Sequence, residues 1–338
     1  ANAALRHGLA GLAGCTVGPN FERPEAEVPT VWAGPFPGPP TQPLSLPERE
    51  LAVWWTAFQD PVLTSLVERA VRSNLDLKQA EARIRQARAA RRIAVSGLGP
   101  SLDAQASYRR SRAEANLSGE ADAAGARTEA GAVDQYQTGF DAAWEADLFG
   151  GVRRGLEAAD ADLEAAVEDR RAVLVTLTAE VARNYIELRT LQERVGIARK
   201  NLQAQEQSAR LTRRRFEGGF ASGLDVANAE ALAATTAAQI PVLEASARRS
   251  IYSLSLLLGR EPAALLEELS PASSVPFAPP SVPAGLPSDL LRRRPDIRRA
   301  EAEIHASTAR IGVATAVLFA WLTISGSLGL RSTDFGSW

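Results

Sequence analysis

The segment Val152–Phe216, VRRGLEAADADLEAAVEDRRAVLVTLTAEVARNYIELRTLQERVGIARKNLQAQEQSARLTRRRF, decides the fold. It runs for about sixty-five residues without a proline and with two interior glycines, Gly155 and Gly196. Every seventh residue from Val167 is apolar: Val167, Leu174, Val181, Leu188, Val195, Leu202, Ala209 and Phe216. Side chains seven apart share one stripe of an α-helix. A register sustained this long predicts one very long helix packed along a left-handed coiled-coil seam. At 1.5 Å per residue it would extend roughly 100 Å, well beyond the span of a compact domain of this size.

Just before this helix the period changes from seven to two. In Ser101–Ser111, Leu102, Ala104, Ala106 and Tyr108 alternate with Asp103, Gln105, Ser107 and Arg109. In Tyr136–Leu148, Tyr136, Thr138, Phe140, Ala142 and Trp144 alternate with Gln137, Gly139, Asp141, Ala143 and Glu145, and Asp147 follows in phase. Two strands of this length match the roughly 9–11 residues a tilted β-strand needs to cross a bilayer. The expected lipid face is Leu102, Tyr108, Tyr136, Phe140 and Trp144. The expected lumen face is Asp103, Gln105, Asp141, Glu145 and Asp147. A soluble hairpin with one wet face has the same alternation. Residues 112–135 between the strands read as a long polar loop.

After the helix, Glu217-Gly218-Gly219-Phe220-Ala221-Ser222-Gly223-Leu224-Asp225 predicts a tight turn. Leu224–Leu258 is helical again, with Pro241 a kink, and Gly259 with Pro262 stops it. Upstream, Asp60 is a good N-cap and Pro61 suits a first helical turn, so a helix runs over 61–97 until Gly97, Gly99 and Pro100 end it. Residues 17–60 are rich in proline, with Trp32, Trp54 and Trp55, and predict an extended strap held by its aromatics. Residues 259–287 are again loop-rich.

The N-terminus resembles the end of a secretory signal, a basic residue and a short apolar run closing on Leu12-Ala13-Gly14-Cys15. Small residues before a lone cysteine form a lipobox, in which the Cys15 thiol takes a diacylglycerol. Thr16 is not the aspartate that holds many lipoproteins at the inner membrane.

Residues 76–108 align without a gap onto 296–328, a shift of 220. Asp76-Leu77-Lys78-Gln79-Ala80-Glu81-Ala82 becomes Asp296-Ile297-Arg298-Arg299-Ala300-Glu301-Ala302, and Leu102 keeps strand phase with Leu322. A second copy of helix-then-strand therefore begins near Pro295, and a complete copy would need well over a hundred residues beyond Trp338. Segments 1–14, 15–60, 61–99, 100–148, 149–258, 259–294 and 295–338 are the resulting parts. With two strands per copy, the sheet has bare edges that lipid cannot satisfy, so other copies must pair them.

The 38 basic and 40 acidic residues nearly balance, which leaves no electrostatic footprint for nucleic acid. With one cysteine and two histidines, a metal site built on those residues is nearly excluded. No apolar run is long enough for a transmembrane helix. No GxSxG, HExxH or phosphate-loop motif occurs, so neither catalysis nor a cofactor is expected.

In this order and spacing, several segments resemble the TolC/OprM outer-membrane factors, in particular the NodT-type efflux lipoproteins. They are Cys15-Thr16-Val17-Gly18-Pro19-Asn20-Phe21, Trp54-Trp55 with Phe58-Gln59-Asp60-Pro61, Trp144-Glu145-Ala146-Asp147-Leu148-Phe149-Gly150, Leu257-Leu258-Gly259 and Pro287 through Ile297. The resemblance implies an α+β membrane protein with an internal repeat. A homotrimer would form a twelve-strand barrel over a long α-helical periplasmic tunnel. It would be the exit duct of a tripartite efflux pump, anchored by lipid in the bacterial outer membrane and projecting into the periplasm. Its partners would be a periplasmic adaptor (membrane fusion protein) and an inner-membrane transporter of the RND type. The adaptor would dock at the turn carrying Gly218, Gly219, Phe220, Ser222, Leu224 and Asp225. This chain departs from the family where Val317 stands for an acid and Ala320 for a proline, which predicts a different start to the following strand. The alternative is a periplasmic adaptor or another structural coiled-coil lipoprotein. An adaptor would carry glycine-rich lipoyl half-motifs, which are missing, and would lack the repeat.

Overall fold

The computed structural model describes residues 16–25, 53–112, 132–277 and 291–336, so Cys15 and Trp32 lie outside the described residues. In chain order the elements are α1 (Pro61–Ser73), α2 (Leu75–Ser96), β1 (Ser101–Arg112), β2 (Ala132–Ala146), α3 (Gly151–Glu217), α4 (Gly223–Leu257), α5 (Leu266–Leu269), α6 (Pro295–Ala316) and β3 (Leu322–Ser332). Trp54–Phe58 and Pro262–Leu265 are short 3₁₀ turns.

Helix α3 is a single helix of 67 residues, as the seven-residue register requires. Val181, Leu188, Val195 and Ala209 of the seam are buried, and Val167, Leu174 and Leu202 are half-buried. Phe216, the last of the series, is 48% exposed. Helix α4 continues through Pro241 without ending there.

The expected helix over 61–97 is two helices, because the chain breaks at Asn74. The Asn74 side chain does two jobs there. Its Oδ1 accepts from Leu77 N at 2.9 Å and caps α2, while its Nδ2 donates to Leu257 O at 2.9 Å beyond the end of α4's ladder. Buried amide groups that each find a partner make the break stable rather than a defect. The same break recurs 220 residues later at Arg294, between a helical turn at 291–293 and α6. Helices α2 and α6 both have 22 residues. Strand β3 starts at Leu322, one residue later than the repeat of β1 would place it.

The described chain forms two compact units. One contains the described residues within 24–85 and 165–300; the other contains those within 1–23, 86–164 and 301–338. The first has a conventional apolar core: Leu63, Leu66 and Val67 of α1, Val181, Tyr185 and Leu188 of α3, Leu254 of α4, and Leu258, Leu265 and Leu269 beyond it. Each such side chain removed from water contributes about 1.5–3 kcal/mol. Asp60 caps α1 through Val62 N and Leu63 N, and its second oxygen accepts the Tyr185 hydroxyl at 2.9 Å. Trp55 and Phe58 of the preceding turn pack on the same core. The second unit holds the three-stranded antiparallel sheet, in the order β1-β2-β3.

Candidate functional site

The sheet sorts its side chains by parity. The register pairs Asp103 with Asp141 and Asp141 with Ser327, so odd-numbered residues of all three strands share one face. That face carries Asp103, Gln105, Arg109, Gln137, Asp141, Glu145, Ser325 and Arg331. The even face carries Leu102, Tyr108, Tyr136, Phe140, Trp144, Ile324, Leu328 and Leu330, with Arg110, Arg112 and Asp134 at the strand ends away from α3, where Arg110 pairs with Asp134. Its apolar side chains are bare: Leu102 is 69% exposed, Phe140 55% and Leu328 79%. Aromatics mark both ends of this band. Tyr108, Tyr136 and Phe335 cluster at one end, with ring centroids 5.0 and 5.4 Å apart. Trp144, whose Nε1 donates to Leu98 O at 3.1 Å, stands near the other. Nine of the ten expected face residues thereby fall as the alternation requires, with β2 reaching back to Ala132 rather than Tyr136. The exception is Asp147. It lies beyond the end of β2 and caps α3, accepting from Val152 N at 3.1 Å and Arg153 N at 2.9 Å. An acid at a helix N-terminus satisfies amides that have no intrahelical partner, so Asp147 is a junction residue and not a lumen one.

The same junction receives the N-terminal strap. Gly150 adopts φ 79°, and a Cβ there would lie 2.8 Å from Thr16. Val17 N donates to Phe149 O at 3.1 Å. Arg154, 4% exposed, is turned into the strap. Its Nε donates to Val17 O, and its Nη2 to Gly18 O and to Asn20 Oδ1, the last at 2.7 Å. Its Nη1 donates to Glu157 Oε2 at 2.7 Å, and Glu157 Oε1 meets His305 Nε2 at 3.1 Å. Phe21 stacks on His305 with centroids 4.5 Å apart. Burial pushes the Glu157 carboxyl up, but the hydrogen bonds from Arg154 and His305 outweigh it and hold it below its ordinary value. The strap residue next to Cys15 is thus fixed where the sheet passes into α3.

The turn between α3 and α4 is closed by two devices. Gly219 at φ 78° ends α3, and Phe220 N reaches back to Arg215 O at 2.7 Å. Ser222 and Asp225 then form a capping box on α4: Asp225 N donates to Ser222 Oγ at 3.2 Å and Ser222 N to Asp225 Oδ2 at 2.9 Å. Hydrogen bonds from the Ser222 hydroxyl and amide hold the Asp225 carboxyl below its usual range. Phe220 and Leu224, 81% and 69% exposed, project from this capped turn.

Residues 66–260 match the family described as "Outer membrane efflux protein". The chain belongs to the outer membrane efflux protein family. Nodulation protein T of Rhizobium leguminosarum bv. trifolii is 34% identical over 317 residues, 94% of this chain and 64% of that protein. The pyoverdine export outer membrane protein OpmQ of Pseudomonas aeruginosa is 38% identical over 281 residues, 82% of this chain and 58% of its own length. The chain therefore spans about three fifths of these relatives. Among solved structures, the outer-membrane channel OprN superposes with a TM-score of 0.82 at 37% identity, covering 95% of this chain and 69% of that one.

The alternating sheet and the turn are legible in the sequence, and the role of Arg154 is not. The pair Arg153-Arg154 sits just inside a predicted helix, where arginines are usually solvated. Only the strap's return to the junction shows why one of them is buried.

Proposed function

We propose that this efflux-family protein is the outer-membrane exit duct of a tripartite pump, passing small molecules out of the periplasm by conduction rather than catalysis. The observation that carries the reading is the sheet: one polar face, one bare apolar face with aromatics at both ends, and outer edges of β1 and β3 with no strand partner among the described residues. A soluble hairpin would cover such an apolar face. A bilayer accepts it, provided the edges are closed by further strands. Three copies would close them into a barrel, with Asp103, Gln105, Asp141 and Glu145 on the lumen side and Leu102, Tyr108, Tyr136, Phe140 and Trp144 toward lipid. Cys15 would carry the lipid, set at the membrane surface by the docking of Thr16 and Val17 at Gly150. Gly218, Gly219, Phe220, Ser222, Leu224 and Asp225 would receive the adaptor, with Phe220 and Leu224 as its apolar contacts, and an inner-membrane transporter would supply the cargo.

The test is reconstitution of the full-length protein in lipid vesicles. A trimer that inserts and releases small entrapped solutes supports the duct; a monomer that stays in the aqueous phase overturns it. Palmitate labelling that survives Cys15→Ser would overturn the anchor alone.

A further inference from the structure

The charges on the sheet's polar face are not mixed. Asp103, Asp141 and Glu145 lie toward the end where β2 leads into α3, and Arg109 and Arg331 lie toward the opposite end. Asp103 and Asp141 share a rung, and Glu145 lies further toward α3. Arg331 faces Gln137, and Arg109 faces Gln135. Along β2 these levels are four and six residues from Asp141, or about 13 and 20 Å at the usual strand rise. The rung between them holds Gln105, Gly139 and Gly329, so two of its three positions carry no side chain. All five charged groups stand on the open face, where Asp141 accepts from the Gln105 amide at 2.6 Å, while the sheet's ion pair between Arg110 and Asp134 lies on the other face. At physiological salt, exposed charges separated by more than about 8 Å are largely screened from one another. The two groups therefore act as separate fields rather than cancelling.

We propose that the channel wall is bipolar: Asp103, Asp141 and Glu145 form a cation-attracting tier next to the helices, and Arg109 with Arg331 forms an anion-attracting tier at the outer mouth. This rests on the reading that the polar face lines a barrel lumen, where repetition around an axis stacks the tiers into rings of opposite sign and reinforces each field. A cationic or zwitterionic solute arriving from the helical side is concentrated at the acidic tier. The basic tier raises the barrier to cations entering from outside, so the duct discriminates by charge as well as by width.

Single cysteines read the local potential without relying on transport. Ser107→Cys lies on the Arg331 rung, and Ser325→Cys lies between the rungs of Asp141 and Glu145. In the full-length protein in vesicles, rates with a cationic and an anionic methanethiosulfonate reagent are compared at each position, against the protein without the added cysteine. The anionic reagent is expected to react several-fold faster at position 107 and the cationic reagent several-fold faster at 325. R109Q/R331Q should abolish the first preference and D103N/D141N/E145Q the second, and molar salt should flatten both. Equal charge preferences at the two positions overturn the two-tier wall while leaving the channel intact. If positions 107 and 325 are both inert and Leu328→Cys on the opposite face reacts, the lumen assignment itself fails and the proposal falls with it.

Discussion

Leucine is treated in opposite ways by the two units of this protein. Among the helices, Leu63, Leu66, Leu188 and Leu254 have no exposed surface. On the sheet, Leu102, Leu328 and Leu330 are 69%, 79% and 61% exposed. The sheet is not simply unfinished, because its other face carries Asp103, Gln105, Asp141 and Glu145 and its central strand is paired on both sides from Tyr136 to Ala143. The difference fits the proposal that the two units meet two solvents. The helical unit is held by removing apolar surface from water. In the proposed reading the sheet's apolar face meets an environment that is itself apolar, and its two outer edges are closed by further strands.

The strongest way to break this comparison is to remove a leucine from each unit. Leu188→Ala should destabilise the helical unit by about 2–5 kcal/mol through the transfer and cavity terms, seen as an earlier loss of helical circular dichroism in denaturant. Leu328→Ala should leave that transition where it is. Equal shifts would mean that the sheet leucine belongs to the same water-excluded core. The converse experiment places a charge on the bare face. Phe140→Arg should weaken insertion into vesicles by about 2–4 kcal/mol, the cost of arginine near the bilayer midplane, with the helical transition unchanged. Unimpaired insertion would remove the lipid-facing assignment.

Asn74 sharpens the comparison inside the helical unit, where its buried side-chain amide finds a partner for both its oxygen and its nitrogen. Asn74→Ala strips Leu77 N and Leu257 O of their side-chain partners at once. A loss of about 1–3 kcal/mol is expected for buried groups left unsatisfied. Asn74→Asp should restore the cap on α2 but not the bond to Leu257 O, so denaturant titration should place it between the two. This residue also marks the limit of what was legible in advance. Periodicity exposed α3 almost to the residue because its seam is a local, repeated signal. Parity exposed both strand faces for the same reason. The break at Asn74 gives no such signal, since the apolar series Leu63, Ala70, Leu77, Ile84 runs straight through it. What decides it is the approach of α4's end, about 183 residues away in sequence. Asp147 was misassigned because strand phase continues one step past the strand, and only the start of α3 shows that its carboxylate is needed as a cap. Arg154 was invisible because its partners come from the distant strap. The turn at Gly218–Asp225 was readable because glycine spacing and the Ser222–Asp225 interval are local chemistry; whether anything docks there depends on surfaces outside this chain.

That turn provides the smallest effect and a pH test. Asp225 is held below its ordinary value by the Ser222 hydroxyl and amide, so the folded state favours the carboxylate. The capping contribution is therefore fully present above the unfolded carboxylate value, about 3.9, and is lost as pH falls through the lower folded value. From neutral pH down to about 5 nothing should change; below about 4 the first turn of α4 should loosen. Amide hydrogen exchange at Ser222 and Asp225, corrected for the intrinsic pH dependence, reads this directly. Ser222→Ala should reduce the local protection by about 1 kcal/mol and bring the Asp225 midpoint back toward the ordinary value, because the group that lowers it most is gone. Protection that is already low at neutral pH in the unsubstituted protein would show that the turn is not preorganised. Phe220 and Leu224 would then be presented by a flexible segment, and any docking there would carry an ordering cost that the capping box otherwise removes.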